Sequence, residues 1–480
     1  MSCLLKIKNK SLTFNLLLTL FTVELFSVLA WQWPILAIIF LVCIAVILFY
    51  ALWHYPKLAL FVPAIELFSG AMGRALSYGF VSLRMLIFAV VILYFIIYLI
   101  SKKQKFKIIN NKKLWLFYLI WLGILFLALV NGFLHRQESL KIFFDFNNYL
   151  YWLYLPIWYQ FYDDQDWSYL WQSLRLIAIY LSIKTLVIFS IFSQFDYQYL
   201  VNFYKWLRDT RFSEITPLGS NFYRIFSQSQ IFILIAFLAL WLKQIYNFKN
   251  YKNLFLIIIF SSALLLSLSR SFWLGGAVAF LVMMLLANFK LVSFSWKILL
   301  KQVFMVFVFS SALVMLLYNV PKFNGDNIFK FSHTESREQS LSSRQALLTP
   351  LKEAIISQAI IGYGFGKEIT YYSNDPRIKN EANPSGKYST YALEWGWLDF
   401  MLKFGLIATI FILVCLALIL KQAYVIIKQA KLSIFLVASL VALMFIHFFS
   451  PYLNHPLGIG WLMILIIYVY NVKFVDANKI

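Results

Sequence analysis

The chain has 480 residues, of which 62% are hydrophobic, 20% aromatic and only 13% charged. A soluble domain carries about a quarter charged residues, so this composition excludes the soluble globular class and indicates a membrane protein. The net charge of +22 lies largely in short segments between apolar runs. It therefore bears on membrane orientation, and we expect no nucleic-acid partner. Cys3, Cys43 and Cys415 are scattered, which indicates neither a disulfide framework nor a metal site, and we expect no metal and no cofactor.

Apolar runs close to the ~20 residues needed to cross the hydrocarbon recur along the whole chain. They predict an all-α, polytopic transmembrane helical bundle of about 12–14 spans. The third run is short and carries Pro63 and Glu66, and the sixth is rich in aromatic residues. In chain order the predicted spans are Leu12 to Ala30, Pro34 to Trp53, Leu58 to Met72, Leu83 to Ile100, Leu114 to Val130, Phe143 to Tyr162, Tyr169 to Phe192, Ile231 to Leu242, Leu254 to Leu268, Phe272 to Ala287, Ile298 to Tyr318, Trp397 to Leu420, Leu432 to Phe449, and Leu457 to Tyr470.

One long polar interval, Pro321 to Tyr391, interrupts this pattern and holds nine Lys/Arg and seven Asp/Glu. Long loops in compact folds are usually functional or disordered. We expect short amphipathic helices in this loop and expect the protein to work there. We therefore divide one integral membrane domain into N-terminal transmembrane helices (1–320), a large outer loop (321–394) and C-terminal transmembrane helices (395–480).

Lysine predicts the orientation. The segment Ser101 to Lys113 contains six lysines and no acidic residue, which places it in the cytoplasm by the positive-inside rule. Counting spans from there puts both termini and the other lysine-rich loops on the same side. The large loop then lies on the opposite face, which is periplasmic or extracellular.

Arginine is distributed differently from lysine. Ten of the eleven arginines fall on or near the outer side, and only Arg175 lies near the inner face. The planar guanidinium grips phosphate with two parallel hydrogen bonds and stays charged at any relevant pH. The set therefore indicates an anionic ligand outside. For any single arginine, a bridge to a loop carboxylate is an equally good interpretation. The ten are Arg74, Arg84, Arg136, Arg208, Arg211, Arg224, Arg270, Arg337, Arg344 and Arg377.

Three arginines stand out by position. Arg224 precedes a span at its outer mouth, and Arg270 lies in a tight turn between two spans. Arg344 opens a segment, Gln345 to Ile361, whose apolar residues recur at helical spacing before Gly362. Such a helix would lie on the outer leaflet with its positive end beside Arg344, where an anion binds readily.

In these residues the chain resembles the O-antigen ligase and O-antigen polymerase family of bacterial inner-membrane glycosyltransferases. The family carries an arginine before a mid-chain span, a Ser-Arg turn, and a long outer loop. That loop opens with an arginine-led helix ending in GxG and closes with a His-Asn-x-x-Leu-type motif. The corresponding residues here, from roughly Arg224 to Leu406, are Arg224; Ser269-Arg270-Ser271; Ser343-Arg344 through Gly362-Tyr363-Gly364-Phe365-Gly366; and Glu394 to Asp399 followed by Phe404-Gly405-Leu406.

The resemblance implies transfer of glycan from an undecaprenyl-pyrophosphate-linked donor to a glycan acceptor, in lipopolysaccharide or related polysaccharide synthesis. It implies an inner-membrane protein with cytoplasmic termini and a periplasmic active site. The partners are then the bilayer, both glycan substrates and a chain-length regulator protein. Arg224, Arg270 and Arg344 would bind the pyrophosphate.

Glu394 stands where the ligases carry a histidine that activates the acceptor hydroxyl. This departure favours the polymerase branch, with Glu394 as the base in a metal-independent, inverting displacement. Transfer to a lipid A–core acceptor, the ligase reaction, stays as the alternative. The alternative interpretation of Glu394 is a helix-start carboxylate favoured by the helix dipole. His333, the only histidine in the loop, lies far upstream.

Four further residues are secondary candidates. Arg211 and Arg337 extend the arginine set, and Asp399 follows Glu394 on the same predicted helix. Glu66 lies within a span, where a charge is costly and often functional. A lipid-linked oligosaccharide flippase is the alternative from another class, but it should show repeat symmetry and charges at the bilayer midplane.

Overall fold

The computed structural model describes residues 9–103, 105–219, 221–290, 295–319, 333–376, 378–427 and 433–471. These residues are mostly α-helical, which confirms the predicted all-α polytopic membrane fold. Three antiparallel hairpins are the only sheets in the described part. They pair β1 (Ser77–Tyr78) with β2 (Val81–Ser82), β3 (Glu214–Pro217) with β4 (Tyr223–Phe226), and β5 (Ile369–Tyr372) with β6 (Lys387–Thr390).

The helices follow the predicted apolar runs closely, because a helix satisfies its backbone hydrogen bonds within the run itself. Up to residue 209 they are α1 (Asn9–Gln32), α2 (Pro34–His54), α3 (Leu58–Ser69), α4 (Leu83–Lys102), α5 (Lys112–Leu134), α6 (Ser139–Tyr149), α7 (Tyr154–Phe161), α8 (Asp166–Gln194) and α9 (Tyr197–Asp209). The remainder are α10 (Gln230–Tyr246), α11 (Tyr251–Ser267), α12 (Arg270–Lys290), α13 (Trp296–Tyr318), α14 (His333–Ser357), α15 (Gly396–Ile427), α16 (Ile434–Ile446) and α17 (Pro456–Asn471).

Eight described helices are long and apolar enough to cross a membrane, namely α1, α2, α4, α5, α8, α12, α13 and α15. Shorter apolar helices α3, α10, α11, α16 and α17 pack among them. The predicted sixth span, Phe143 to Tyr162, is not one helix. It consists of α6, a 3-10 turn at Leu150–Leu153, and α7. The division into 1–320, 321–394 and 395–480 stays a prediction.

The two ends of the bundle differ in their side chains. At one end, here called the loop face, lies the described part of the large loop, and hairpin β3–β4 packs there on the ends of α8, α11 and α13. At the other end, here called the lysine face, Lys57 contacts Asp163 at 2.8 Å and Asp166 at 3.1 Å. Lys107 on the same face donates its backbone N–H to Gln160 at 2.8 Å. The lysine-rich turn after α4 therefore lies opposite the large loop, as predicted.

The helix of the large loop is longer than its apolar pattern indicates. It begins at His333 and not at Gln345, and it ends at Ser357. Leu347, Leu351 and Ile355 form its buried stripe against the start of α15. Arg344 therefore lies inside the helix, and the expectation that it stands beside a positive helix end is wrong.

The glycine-rich segment 362–366 is inserted between α5 and α15. Tyr363 donates its backbone N–H to Leu402 at 2.8 Å, and Phe365 donates to Ala128 at 3.2 Å. Helix α15 breaks at Gly405, whose φ of 73° is a conformation that glycine adopts without strain. The backbone N–H of Leu406 then donates to the carbonyl oxygen of Ala359 at 2.8 Å. Irregular backbone is tolerated at membrane depth only where the protein satisfies its hydrogen bonds, and these contacts do so.

Substitution of Gly364 should separate this segment from α5. A Cβ at Gly364 would lie 2.2 Å from the nitrogen of Gly132 and 2.4 Å from the oxygen of Ala128. Gly364→Ala should cost about 1–2 kcal/mol from its left-handed backbone and roughly 1–3 kcal/mol more from overpacking. Thermal unfolding of the purified protein in detergent measures this loss.

Gly79→Ala is the matched control. Gly79 also has a positive φ, of 59°, but a Cβ there would meet no atom within 4 Å. Its substitution should therefore carry only the backbone cost. Equal thermal shifts for the two variants would show that the close approach to α5 does not matter.

Candidate functional site

Hairpin β3–β4 positions Arg224 at the loop face. Alternate residues of a strand point to opposite sides, so Tyr223 and Ile225 are buried while Arg224 is directed away from that core. The Nε of Arg224 donates to the carbonyl oxygen of Ser267 at 2.8 Å. Its guanidinium carbon lies 4.7 Å from the ring centroid of Phe226, a cation–π distance.

The turn that follows Ser267 carries Arg270. Helix α11 ends there with Leu268 in the left-handed conformation, at φ 45° and ψ 30°, and α12 begins at Arg270. The hydroxyls of Ser269 and Ser271 are buried and lie 3.0 Å apart, whereas Arg270 is exposed. Arg224 therefore contacts the same turn, 267–271, that carries Arg270.

Arg344 and Glu394, the second pair of candidates, form an ion pair. Their side chains are 47% and 53% exposed, so both charges remain accessible to solvent. Trp395 holds the backbone of Arg344, because its indole Nε1 donates to the carbonyl oxygen of Arg344 at 3.4 Å. Glu394 lies just before α15 and not within it. An arginine bridging a loop carboxylate is the simpler of the two interpretations that the sequence left open, and the phosphate role stays a proposal.

Aromatic rings connect the turn that carries Arg270 with the Arg344–Glu394 ion pair, through the C-terminal turn 447–455. Phe272 contacts Phe226 at 5.9 Å and Tyr452 at 5.8 Å between ring centroids. The Tyr452 hydroxyl donates to the carbonyl oxygen of Gln228 at 2.9 Å, and Trp395 contacts Phe449 of the same turn at 6.1 Å between ring centroids. Phe272 and the turn 447–455 therefore link the position of Arg224 and Arg270 to that of Arg344 and Glu394.

Asp399 is fully removed from the surface and belongs to a polar cluster. Its carboxylate contacts the Lys403 ammonium at 2.7 Å and accepts from the Asn454 amide at 2.6 Å. The Lys403 ammonium also contacts Asp145 at 2.7 Å. Sequence reasoning missed Asp145, Lys403 and Asn454. The signal for Lys403 was its position four residues after Asp399 in an apolar span, where charges need a partner.

Glu66 is held by a buried arginine. The Arg84 Nε lies 3.1 and 3.0 Å from its two carboxylate oxygens. Deeper in the same region Lys184 forms an ion pair with Glu24. A cavity of about 30 Å³, enough for one or two water molecules, is lined by residues that include both glutamates and Phe212, and by none of the principal arginine candidates.

Arg224, Arg270 and Arg344 lie on the loop face, and Arg175 lies apart from them. The outer position of the other arginines stays a prediction. Arg175 follows the start of α8 at Asp166, whose carboxylate binds Lys57 on the lysine face. Arg211 is exposed in the turn before β3, with a positive φ of 59°. Arg337 belongs to α14, and its side chain lies outside the described part of the structure.

Two histidines of the turn 447–455 are neutral, and of these His447 is fully buried and His455 half-buried. Burial lowers the pKa of His447 to about 3. Burial also lowers the pKa of His455 to about 3, and the nearby Arg84 guanidinium acts in the same direction. Each ring accepts at Nδ1, from the backbone N–H of Leu453 at 3.1 Å and of Leu457 at 3.3 Å. Both rings therefore shape the turn beside the candidate site.

Residues 254–413 match the family model described as O-antigen ligase, so the chain carries a domain of that family. The match confirms the resemblance drawn from the sequence. It runs from α11 into α15 and includes Arg270, Arg344 and Glu394, whereas Arg224 precedes it. No curated protein and no solved structure matches the chain.

The neutral histidines make stability depend on pH. Their pKa falls from 6.5 in the unfolded chain to about 3 in the folded one. Between these values the unfolded chain binds more protons, so the free energy of unfolding is largest above pH 6.5 and falls as the pH drops. At pH 5 the loss is roughly 2 kcal/mol per histidine. We expect a lower melting temperature in detergent at pH 5 than at pH 7.

The paired substitution His447→Asn and His455→Asn should reduce this pH dependence, because an asparagine keeps a hydrogen-bond acceptor and does not titrate. The same decrease in melting temperature for the wild type and this double variant would assign the effect to other groups.

Proposed function

We propose that this protein is a polysaccharide polymerase of the O-antigen type. It transfers glycan from undecaprenyl pyrophosphate to a hydroxyl of another lipid-linked repeat unit, on the periplasmic face of the bacterial inner membrane. One observation carries the proposal: Arg344 and Glu394 meet in an accessible ion pair within the segment that matches the O-antigen ligase family. The lysine-rich turn on the opposite face supports cytoplasmic termini.

The leaving group explains the need for guanidinium groups. When the acceptor hydroxyl attacks the anomeric carbon, the bond from that carbon to the pyrophosphate oxygen breaks and negative charge develops on the diphosphate. Fixed positive charges at such a position stabilise the transition state strongly. Arg270, with its exposed side chain, and Arg224, beside the same turn, would bind the diphosphate together with Arg344. Since these arginines supply the stabilising charge, we propose a metal-independent reaction.

The ion pair explains how Glu394 becomes available. Without substrate, its carboxylate and the Arg344 guanidinium neutralise each other. A diphosphate offers the guanidinium a bidentate anionic partner and so competes with Glu394 for it. The released carboxylate takes the proton of the acceptor hydroxyl. The products are a new glycosidic bond with inverted configuration, undecaprenyl pyrophosphate, and a protonated Glu394.

Ligation to a lipid A–core acceptor is the second candidate, because the matching family model is described as O-antigen ligase. The same arginines would serve both reactions, since the donor is the same. The two functions differ in the acceptor and in the residue that activates it. A carboxylate at position 394, in place of the ligase histidine, favours the polymerase. A chain-length regulator protein is the further partner that a polymerase implies.

Charge removal at the proposed site should abolish glycan transfer. Loss of one donor to a developing oxyanion costs about 100-fold or more in rate, so Arg270→Ala, Arg344→Ala and Glu394→Gln should each stop chain extension. Glu394→His should retain part of the activity, because imidazole is also a base. The measurement is the length of polysaccharide formed from purified lipid-linked repeat units.

Arg208→Ala is the matched control. Arg208 is a half-exposed arginine whose guanidinium forms an ion pair with its neighbour Asp209 at 2.9 Å. Its loss should leave chain extension and membrane insertion unchanged. Polysaccharide of wild-type length from all three charge-removing variants would reject the proposed site.

Deletion of the gene separates polymerase from ligase. Without the polymerase, acceptors should carry a single repeat unit, because ligation continues but extension does not. Without the ligase, long glycan should remain on its lipid carrier. Gel analysis of lipopolysaccharide and of extracted carrier lipid distinguishes these products, and the second pattern would contradict our assignment.

A further inference from the structure

A buried cluster of charged and polar side chains lies directly beneath Glu394. We name it the Lys403 cluster, and it consists of Lys403, Asp145, Asp399 and Asn454. The lysine ammonium lies 2.7 Å from each carboxylate. The side chains of Lys403, Asp145 and Asp399 are only 4%, 6% and 3% exposed. Asp399 donates its backbone N–H to Trp395 at 2.8 Å, which places the cluster one helical turn below the proposed base.

The cluster joins four separate parts of the chain. Asp145 belongs to α6 and accepts the backbone N–H of Gly366 at 3.1 Å, so it holds the glycine-rich segment 362–366. Asn454 belongs to the turn 447–455 and also donates to the carbonyl oxygen of Gly396, at 3.3 Å. Lys403 belongs to α15, and its own carbonyl oxygen accepts from Gly364 at 3.0 Å.

A second ion pair also connects α6 to the chain near the glycine-rich segment 362–366. Lys141 of α6 contacts Glu368 at 3.0 Å and Glu138 at 2.6 Å. Glu368 lies two residues after the glycine-rich segment. Helix α6 therefore holds this segment at Gly366 through Asp145, and just beyond it through Lys141.

Stability alone gives no reason for charges at this depth. Burying two carboxylates and an ammonium costs several kcal/mol per ion, and apolar side chains of similar volume are often as stabilising. Hydrogen bonds, however, fix direction and distance in a way that apolar contacts do not. The partners of Lys403 lie on α6 and α15, and through Gly366 and Asn454 they reach two segments at the loop face.

We propose that Lys403 is a positioning residue for the transfer reaction. It fixes the start of α15, which carries Glu394, relative to segment 362–366 and turn 447–455. The catalytic consequence rests on the proposed function, but the structural connection does not. Displacement of a reacting group by about 1 Å can cost roughly 100-fold in rate, so loss of this connection should lower turnover without removing any group that contacts the substrate.

The test must separate positioning from charge compensation. Lys403→Met alone leaves two buried carboxylates without a cation, and such a variant is expected to fold poorly. The triple variant Lys403→Met, Asp145→Asn and Asp399→Asn removes this cost, because no buried charge of the cluster remains. The amides at positions 145 and 399 keep acceptors for Gly366 and Asn454, while the ammonium that joins them is absent.

Hydrogen exchange, measured by mass spectrometry on the full chain in detergent, tests how α15 is connected to segment 362–366 and turn 447–455. It needs no assay of activity. In the triple variant we expect faster exchange of the backbone amides in both 362–366 and 447–455, with α8 and α10 unchanged. Unchanged exchange in both segments, in a variant that melts at the wild-type temperature, would overturn the proposal.

Turnover with a lipid-linked donor measures the effect of the Lys403 cluster on the rate of transfer. We expect the triple variant to lose at least about tenfold in kcat, with KM for the donor within about twofold of the wild type, because the arginines remain. The variant Lys57→Met with Asp166→Asn is the control, since it removes a buried pair on the opposite, lysine face and should leave kcat unchanged. A wild-type kcat in the triple variant would overturn the positioning role.

Asn454→Leu keeps the test decisive if the triple variant does not fold. It changes no charge and breaks only the connection to turn 447–455, so exchange should rise there and not in 362–366. No change in either segment would again contradict the proposal. Absence of transfer by the wild-type protein would reject the proposed function, and the exchange experiment would still decide the connection.

Discussion

Polar backbone inside a membrane needs partners within the protein, because the hydrocarbon offers none. The loop side of this fold depends on that condition. Segment 362–366 enters the bundle as irregular backbone, and α15 breaks beside it at Gly405. The N–H groups released by the break and by the segment bond to carbonyls of α5, α15 and the end of the loop helix. The large loop is thereby fixed to the transmembrane helices at its glycine-rich end.

Charges inside the bundle obey the same condition. Glu66 pairs with Arg84, Glu24 with Lys184, and Asp145 and Asp399 share Lys403. Lys184 meets Glu24 across 160 positions, and Lys403 meets Asp145 across 258 positions. These two contacts join helices that are far apart in the sequence, so buried charge here selects one arrangement of the helices. The arginines proposed to bind substrate differ from these buried ions. Arg270 and Arg344 remain accessible at the loop face, where an anion can reach them.

This contrast gives the proposed reaction a physical basis. A frame of buried, paired charges lies beneath a surface where one ion pair is held weakly in water. A diphosphate can displace the carboxylate of that surface pair at low cost, whereas it cannot enter the buried pairs. The frame fixes the position of the proposed base, Glu394. Arg344 is the partner of this base when no substrate is bound, and of the diphosphate when it is.

The amino-acid sequence was enough to predict the helical membrane fold and the resemblance to the O-antigen ligase family, because hydropathy, charge and short motifs are local properties. The tertiary structure was needed to show that α14 begins at His333, that the sixth crossing is broken, and that Arg344 meets Glu394. It alone brought Lys403 to Asp145, 258 positions away. Such contacts depend on how each helix is rotated and packed against its neighbours, and apolar periodicity in a membrane-spanning run does not record that rotation.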